Sequence, residues 1–586
     1  MSGTIQEWIH KLEEGEWAWL VKLGTALLAL TALTVWYDLR EYRNFNAAEA
    51  MEAAQLARNL ATGKGFTTQS IRPLSLHLVE QKLGVNGRLS RQAHPDLVNP
   101  PVYPLLLAGL MKVAPFQFDM APNAISYQPE MIIALFNQGL FFLMVGLVFF
   151  LARKLFDLNV AIMTAVVLLG SDLLWRFSAS GLSTMMLMVL LAGLIWSLVL
   201  LEQGTREANR GTVWFVGWSV VAGVLLGVGA LTRYSFGWLL IPALVFCAAY
   251  LGTRRALVCG VVAACFLVVM APWLARNYQL SGTLFGIPGY ALHQETPPFP
   301  DTRLERSLAP DLSQIALEDY IRKLLINGRE IVETEAPKLG GSWVSAFFLV
   351  GLLLPFRNPT LGRLRVFVLV ALAVLAAVQA LGHTHLSSDA PTVNSENLLV
   401  LLAPLVFMFG VAFFFMILDQ VNLPFPEARR YVVGGFSVVC CVGLVFTLLP
   451  PRSFPVVYPP YMPPWIQDSA RMMQKEELMM SDMPWAVAWY GDRSCVWTTL
   501  DIGKEFYHVN DEQKAISGLY LSPLTTDARF LTQVIQGKDW AWGRLALDVF
   551  LRTNLPPRFP LRDARSRYIP AQLLLCDRPR WKEPIR

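Results

Sequence analysis

The chain has 586 residues, of which 54% are hydrophobic and only 16% charged, and its formal net charge is +5. With a mean hydropathy of +0.42, this composition excludes an ordinary soluble fold and points to a polytopic α-helical membrane protein. The small positive balance comes from arginines in short loops rather than from a basic face, so nucleic acid is not expected as a partner.

The N-terminal stretch carries Glu13, Glu14 and Glu16 close to the first apolar run and lacks a small-residue cleavage pattern, so that run is expected to be retained. A spanning helix needs about 20 mainly apolar residues. About eleven candidates follow, near 17–37, 130–151, 158–174, 181–201, 212–231, 235–251, 255–274, 343–356, 364–382, 397–418 and 431–450, the third and eighth being short enough to be re-entrant. Arg153 with Lys154, Arg206 with Arg210, Arg254 with Arg255, Arg357 with Arg363 and Arg365, and Arg429 with Arg430 occupy alternate connections. Positively charged short loops stay cytoplasmic. On that orientation the segments 38–129, 275–342 and 383–396, and everything after 450, lie outside the cytoplasm.

The chain then divides into a membrane domain, 1–450, with external loops 38–129 and 275–342, and a C-terminal domain, 451–586. In the first loop, Tyr37 to Phe66 follows the first span and contains an amphipathic helical pattern ended by Gly63 and Gly65. Such a helix is expected to lie along the membrane interface. A second short helix begins near Pro100 and Pro101, where prolines suit a helix start. The second loop pairs a proline-rich stretch with a helical pattern, which suits a lid or packing helix. A stiff proline-rich connector follows Leu449. Alternating polar and aromatic patches beyond it predict a small α+β domain. Of seven cysteines, five lie in apolar spans and are expected to pack there. Cys495 and Cys576, in the C-terminal region, admit either one disulfide or two thiols.

Glu49 and Glu52, three residues apart, fall on one helical face. There a carboxylate facing a cavity can serve as general base, although two solvated charges read the same way. Asp38 and Glu41 occupy consecutive turns at the exit of the first span, where capping or snorkelling explains them as well. Arg58, Lys64, Arg88 and Arg91 offer donors to phosphate oxygens or to anionic headgroups. His94, His383 and His385 are metal-ligand candidates, but the His-x-His pair lacks a third ligand nearby. No GxGxxG loop after a strand, Walker sequence or CxxC pair is present, so no nucleotide or redox cofactor is expected.

The stretches EAMEAAQLARNLATGKGFTT, HPDLVNPPVYPLLLAGL, WRFSASGLSTMMLMVLLAG, LTRYSFGWLLIPAL and PWLARNYQLSGTLFG occur in that order. Together they resemble the GT-C membrane glycosyltransferases, in particular the branch of protein O-mannosyltransferases and the bacterial transferases that attach aminoarabinose to lipid A. The resemblance covers roughly residues 17–450. It implies an inverting transfer from a polyprenyl-phosphate-linked sugar to a glycan, lipid or protein acceptor, outside a bacterial inner membrane; no cofactor is expected, because arginines can neutralise a phosphate leaving group without a metal. The family's acidic residue before its AxxARNL-type helix, usually aspartate, corresponds to Glu49, with Glu52 or Asp38 as substitutes. For such a transfer, guanidinium chemistry makes Arg58, with Arg88 or Arg91, the expected phosphate holder. Two positions depart from the pattern: Thr184 stands for an acid, and Glu396 lies where relatives often carry arginine. The departures leave open a second function, a non-catalytic scaffold or assembly subunit docking a protein through its C-terminal domain. A transporter would require paired ionisable residues at mid-membrane, and Asp172 is only near a helix end.

Overall fold

The computed structural model describes residues 18–580 except 122–125, 208–209, 342, 354–357, 390–392, 423–426, 451–460, 527–539, 552–554, 556–557 and 566–571. Glu13, Glu14, Glu16, Arg357 and most of the proline-rich connector lie outside the described residues. In chain order the membrane part comprises α1 (Ala18–Glu41), α2 (Ala48–Ala61), β1 (Ser70–Ile71), α3 (Pro73–Leu83), α4 (Val102–Val113), α5 (Gln128–Leu155), α6 (Leu158–Leu169), α7 (Asp172–Ala179), α8 (Thr184–Arg206), α9 (Thr212–Ala230), α10 (Leu240–Tyr250), α11 (Arg255–Ser281), α12 (Leu317–Glu330), α13 (Trp343–Leu353), α14 (Pro359–Leu381), α15 (Ala403–Gln420) and α16 (Ala428–Leu448).

The protein is a multi-pass membrane protein, but the count of eleven spans is not reproduced. Among the described residues, seven helices are long and apolar enough to cross a membrane, and up to nine if each of two bent pairs counts as one span. The chain turns by 57° between α6 and α7, at Gly170 and Ser171, so one expected span is a broken one. Helix α13 has 11 residues, or about 16 Å at 1.5 Å per residue, against a hydrocarbon core of about 30 Å. The apolar run near 235–251 begins as a 3-10 turn before α10, which shortens it in the same way.

Helix α2 is more enclosed than its amphipathic pattern suggests: of its 14 residues only Glu49, Leu60 and Ala61 escape burial. Ala48, Ala50, Ala53, Ala54 and Ala57 leave little bulk on its surface. That lets α4 approach on one side and a helix of the C-terminal domain on another.

That domain contains α17 (Pro463–Arg471), β2 (Leu478–Ser481), α18 (Pro484–Gly491), β3 (Ser494–Trp497), β4 (Ile516–Leu521), α19 (Trp540–Phe550), β5 (Asp563–Arg565) and β6 (Leu573–Cys576). Helix α18 is the one that packs on α2. The sheet runs β1-β3-β2-β4-β6-β5. Strand β1 pairs in parallel with β3 through Ser70 and Ile71, so the first external loop supplies one edge of the C-terminal sheet. Cys495 and Cys576 are both free thiols. They sit on β3 and β6, with β2 and β4 between them. Three strand spacings, about 14 Å, exceed the reach of a disulfide.

Candidate active site

The segment before α2 is fixed at both ends. Phe45 N donates to Glu130 Oε2 at 2.7 Å, and Tyr127 N donates to Asn44 Oδ1 at 3.0 Å. Gly181, at φ +77°, lies where any Cβ would overlap the Phe45 ring. Tyr103 Oη donates to the Gly181 carbonyl at 2.7 Å, which ties this turn to α4. These contacts set where α2 begins and hence where Glu49 stands. Glu49 lies in the first turn of α2, where the helix dipole favours negative charge.

Glu49 lies within electrostatic range of Glu396, which belongs to the loop between α14 and α15. Glu396 is buried, and its carboxyl is pushed up to about 8 by burial. Bonds from Thr384 oppose that rise, the charge of Glu49 adds to it, and Arg233 opposes it again. The Thr384 backbone N–H donates to Glu396 Oε2 at 3.0 Å, and the Thr384 hydroxyl donates to Oε1. His383 Nδ1 stands 3.8 Å from the same carboxyl. Arg233, just beyond α9, donates to the Ser395 carbonyl. The loop is held further by Glu335, which accepts from Asn394 Nδ2 at 3.1 Å and from Asn397 Nδ2. Lys323 of α12 donates to the carbonyls of Ala291 at 3.0 Å and Gln294 at 2.5 Å, within electrostatic range of Glu396. Glu396 thus has Glu49, Arg233 and Lys323 within electrostatic range.

The other expected site residues fall elsewhere. Glu52 is bound to Arg72, with Nη1 to Oε1 at 2.7 Å and Nη2 to Oε2 at 3.2 Å, and accepts from Ser70 Oγ at 3.0 Å. Arg72 Nε also reaches Glu305 Oε2 at 2.5 Å. Burial raises the Glu52 carboxyl, whereas at Glu305 burial is outweighed by the charges of Arg72 and His385 together with hydrogen bonds from Arg72 and Gln294, and the carboxyl is lowered. Glu52 thus holds the first and second loops together and is not exposed to a substrate. Asp38 accepts from Gln138 Nε2 at 2.7 Å, joining α1 to α5.

Arg58 donates from Nη1 to the Trp489 carbonyl at 3.0 Å and from Nη2 to the Ala488 carbonyl at 2.7 Å, and lies 3.2 Å from Asp492 Oδ1. Its guanidinium is enclosed between the rings of Phe118 and Trp489. Arg88 bridges Glu80 at 2.7 Å and Glu512 at 2.9 Å. Arg91 is exposed. None of the three joins Glu49; the first two tie the membrane part to the C-terminal domain. Arg233 and Lys323 are the cations that sequence reasoning missed. Arg233 lay within the quoted LTRYSFG stretch, where an arginine at the end of a span is itself unusual.

The three histidines do not converge. His94 is buried, with Nε2 2.8 Å from Ser75 Oγ, and burial lowers it to about 3. His385 packs on Trp497 with ring centroids 5.6 Å apart, and His383 sits beside Glu396. Among the described residues no group of three or more His, Cys, Asp or Glu is arranged to hold a metal ion. Thr184 is buried as the first residue of α8.

Neither a family model nor a curated protein matches the chain. Solved structures do. ArnT from Cupriavidus metallidurans, bound to undecaprenyl phosphate, aligns over 96% of this chain and 98% of its own, with a TM-score of 0.53 and 11% identity. The oligosaccharyltransferase of Archaeoglobus fulgidus, tethered to an acceptor peptide containing the NVT sequon, aligns over 88% of this chain and 71% of its own, with a TM-score of 0.54 and 10% identity. The same archaeal enzyme, AglB, in complex with an inhibitory peptide and a dolichol-phosphate, gives a TM-score of 0.52. The chain has a GT-C fold. At identities this low the likeness concerns the GT-C architecture alone, and it extends through the C-terminal domain, which the resemblance read from sequence did not cover.

Proposed function

We propose that this GT-C protein is a glycosyltransferase that moves a sugar from a polyprenyl-phosphate donor to an acceptor hydroxyl or amine on the non-cytoplasmic face of a bacterial inner membrane. The observation that supports this reading is a buried Glu396 within electrostatic range of Glu49, Arg233 and Lys323. Glu49 accepts the acceptor's proton as the acceptor atom bonds to the anomeric carbon. The bond from that carbon to the phosphate oxygen breaks, and polyprenyl phosphate departs with the electron pair. Arg233 is the cation placed to offset charge that grows on the leaving phosphate. Attack from the face opposite the phosphate inverts the anomeric centre. Related structures hold undecaprenyl phosphate and dolichol-phosphate, which supports a donor of that chemical class.

Thr184, where the resemblance expects an acid, favours a second reading: a GT-C-like scaffold that assembles an envelope complex through its C-terminal domain. Transfer from a radiolabelled polyprenyl-phosphate sugar in membranes containing the full chain separates the two. Product formation that Glu49→Gln abolishes supports the transferase. Transfer unchanged by Glu49→Gln removes the assigned base, and no transfer with any donor, alongside a stoichiometric protein partner, supports the scaffold.

A further inference from the structure

We propose that the end of the bundle opposite Glu49 carries a groove for one anionic diacyl phospholipid, with its phosphate at Arg153 and Lys154. Helices α5, α8 and α9 line an open groove of about 720 Å3 there, bordered by Phe150, Trp218, Val221 and Leu225. That volume is in the range of small-molecule sites, about 300–1,000 Å3. Gly193 of α8 also lines the groove. It has no side chain to fill the space, and a Cβ there would meet only Leu225. Arg153 and Lys154, in the last turn of α5, border the same groove and are exposed. Lys154 Nζ stands 5.4 Å from the centre of the Trp196 ring.

Charge decides the occupant. Neighbouring arginines at this end already have carboxylates: Arg206 and Arg363 pair with Glu202 at 3.0 and 2.5 Å, and Arg210 pairs with Glu207 at 2.9 Å. No carboxylate is within ion-pairing distance of Arg153 or Lys154 among the described residues. A slot that is apolar along its length and doubly cationic at one mouth fits an acyl chain joined to a phosphate. A zwitterionic lipid would bring its own cation to that mouth. The polyprenyl donor is expected at the other end of α5, whose 28 residues extend about 42 Å. The groove therefore does not depend on the transfer reaction.

Native mass spectrometry of the full chain, released from micelles containing equal amounts of phosphatidylglycerol and phosphatidylcholine, tests this. The unaltered chain is expected to retain one phosphatidylglycerol with a preference of about tenfold or more. Arg153→Ala/Lys154→Ala brings that preference close to parity, and Gly193→Leu, which fills the slot, removes retention. The double variant changes two exposed side chains, so it carries the test even where Gly193→Leu misfolds. Equal retention of the two lipids by the unaltered chain, or an undiminished preference in the double variant, overturns the proposal. So does displacement of phosphatidylglycerol by equimolar undecaprenyl phosphate that the double variant abolishes.

Discussion

Glu49 and Glu396 differ in their surroundings. Glu49 is half-buried in a helix's first turn, while Glu396 is buried among hydrogen-bond donors and held up near 8. At neutral pH Glu396 is therefore mainly protonated and adds little negative charge near Glu49. Glu49→Gln removes the base and is expected to lower the rate of sugar transfer by about 10²–10⁴-fold, with unfolding temperature unchanged. Glu396 gives a pH dependence. Its folded carboxyl at about 8 stands above its ordinary value of 4.5, so the folded chain binds a proton that the unfolded chain releases. That stability is fully present below 4.5 and is lost as pH rises through about 8. Thermal unfolding in detergent between about pH 6 and pH 9 is expected to show a falling midpoint that Glu396→Gln flattens. Transfer by the unaltered chain falls over the same upper range, because a second negative charge beside Glu49 opposes the donor phosphate. A slope unchanged by Glu396→Gln would assign the dependence to another group.

At the scale of elements, what the sequence disclosed followed the physical range of each signal. Apolar runs such as 184–206 report their own burial in lipid, so most spanning helices were legible. The breaks at Gly170 and before Leu240 were less so, since hydropathy measures composition and not direction. The burial of helix α2 was not legible for a different reason. An alanine-rich pattern with charges at intervals is compatible with an interface or with a buried clamp, and the helix that completes the clamp is α18, more than 400 residues away. The pairing of Glu49 with Glu52 by helical spacing was correct in geometry but silent about Arg72, which removes Glu52 from the site. That network yields a prediction of its own. Glu52→Ala leaves Arg72 and Glu305 to rearrange in a buried setting and is expected to cost about 3–5 kcal/mol, measured as chemical unfolding of the purified protein. Glu52→Gln, which keeps an acceptor for Ser70 Oγ and Arg72, is expected to cost less. If Glu52→Ala abolished transfer without loss of stability, Glu52 would belong to the site after all.

For the whole molecule, the membrane part and the C-terminal domain share structure instead of merely adjoining. Strand β1 completes the sheet, Glu130 accepts from Trp489 Nε1 at 2.8 Å, and Arg58 grips the end of α18 through two carbonyls. Arg58 was expected to hold phosphate because a guanidinium's paired donors match phosphate oxygens; the same fork also matches two successive backbone carbonyls, and residue type alone does not distinguish them. Its substitution does. Arg58→Lys keeps the charge but loses the fork, and a hydrogen bond involving a charged group contributes about 1.5–3 kcal/mol. Lysine is therefore expected to lower the unfolding midpoint, to speed proteolysis after residue 450 and to leave the donor's KM close to that of the unaltered chain. A phosphate-binding Arg58 would behave in the opposite manner, raising donor KM several-fold while stability and protease resistance stayed constant. The structure favours the first outcome, since both of its terminal nitrogens already donate to α18 and its guanidinium lies against the rings of Phe118 and Trp489.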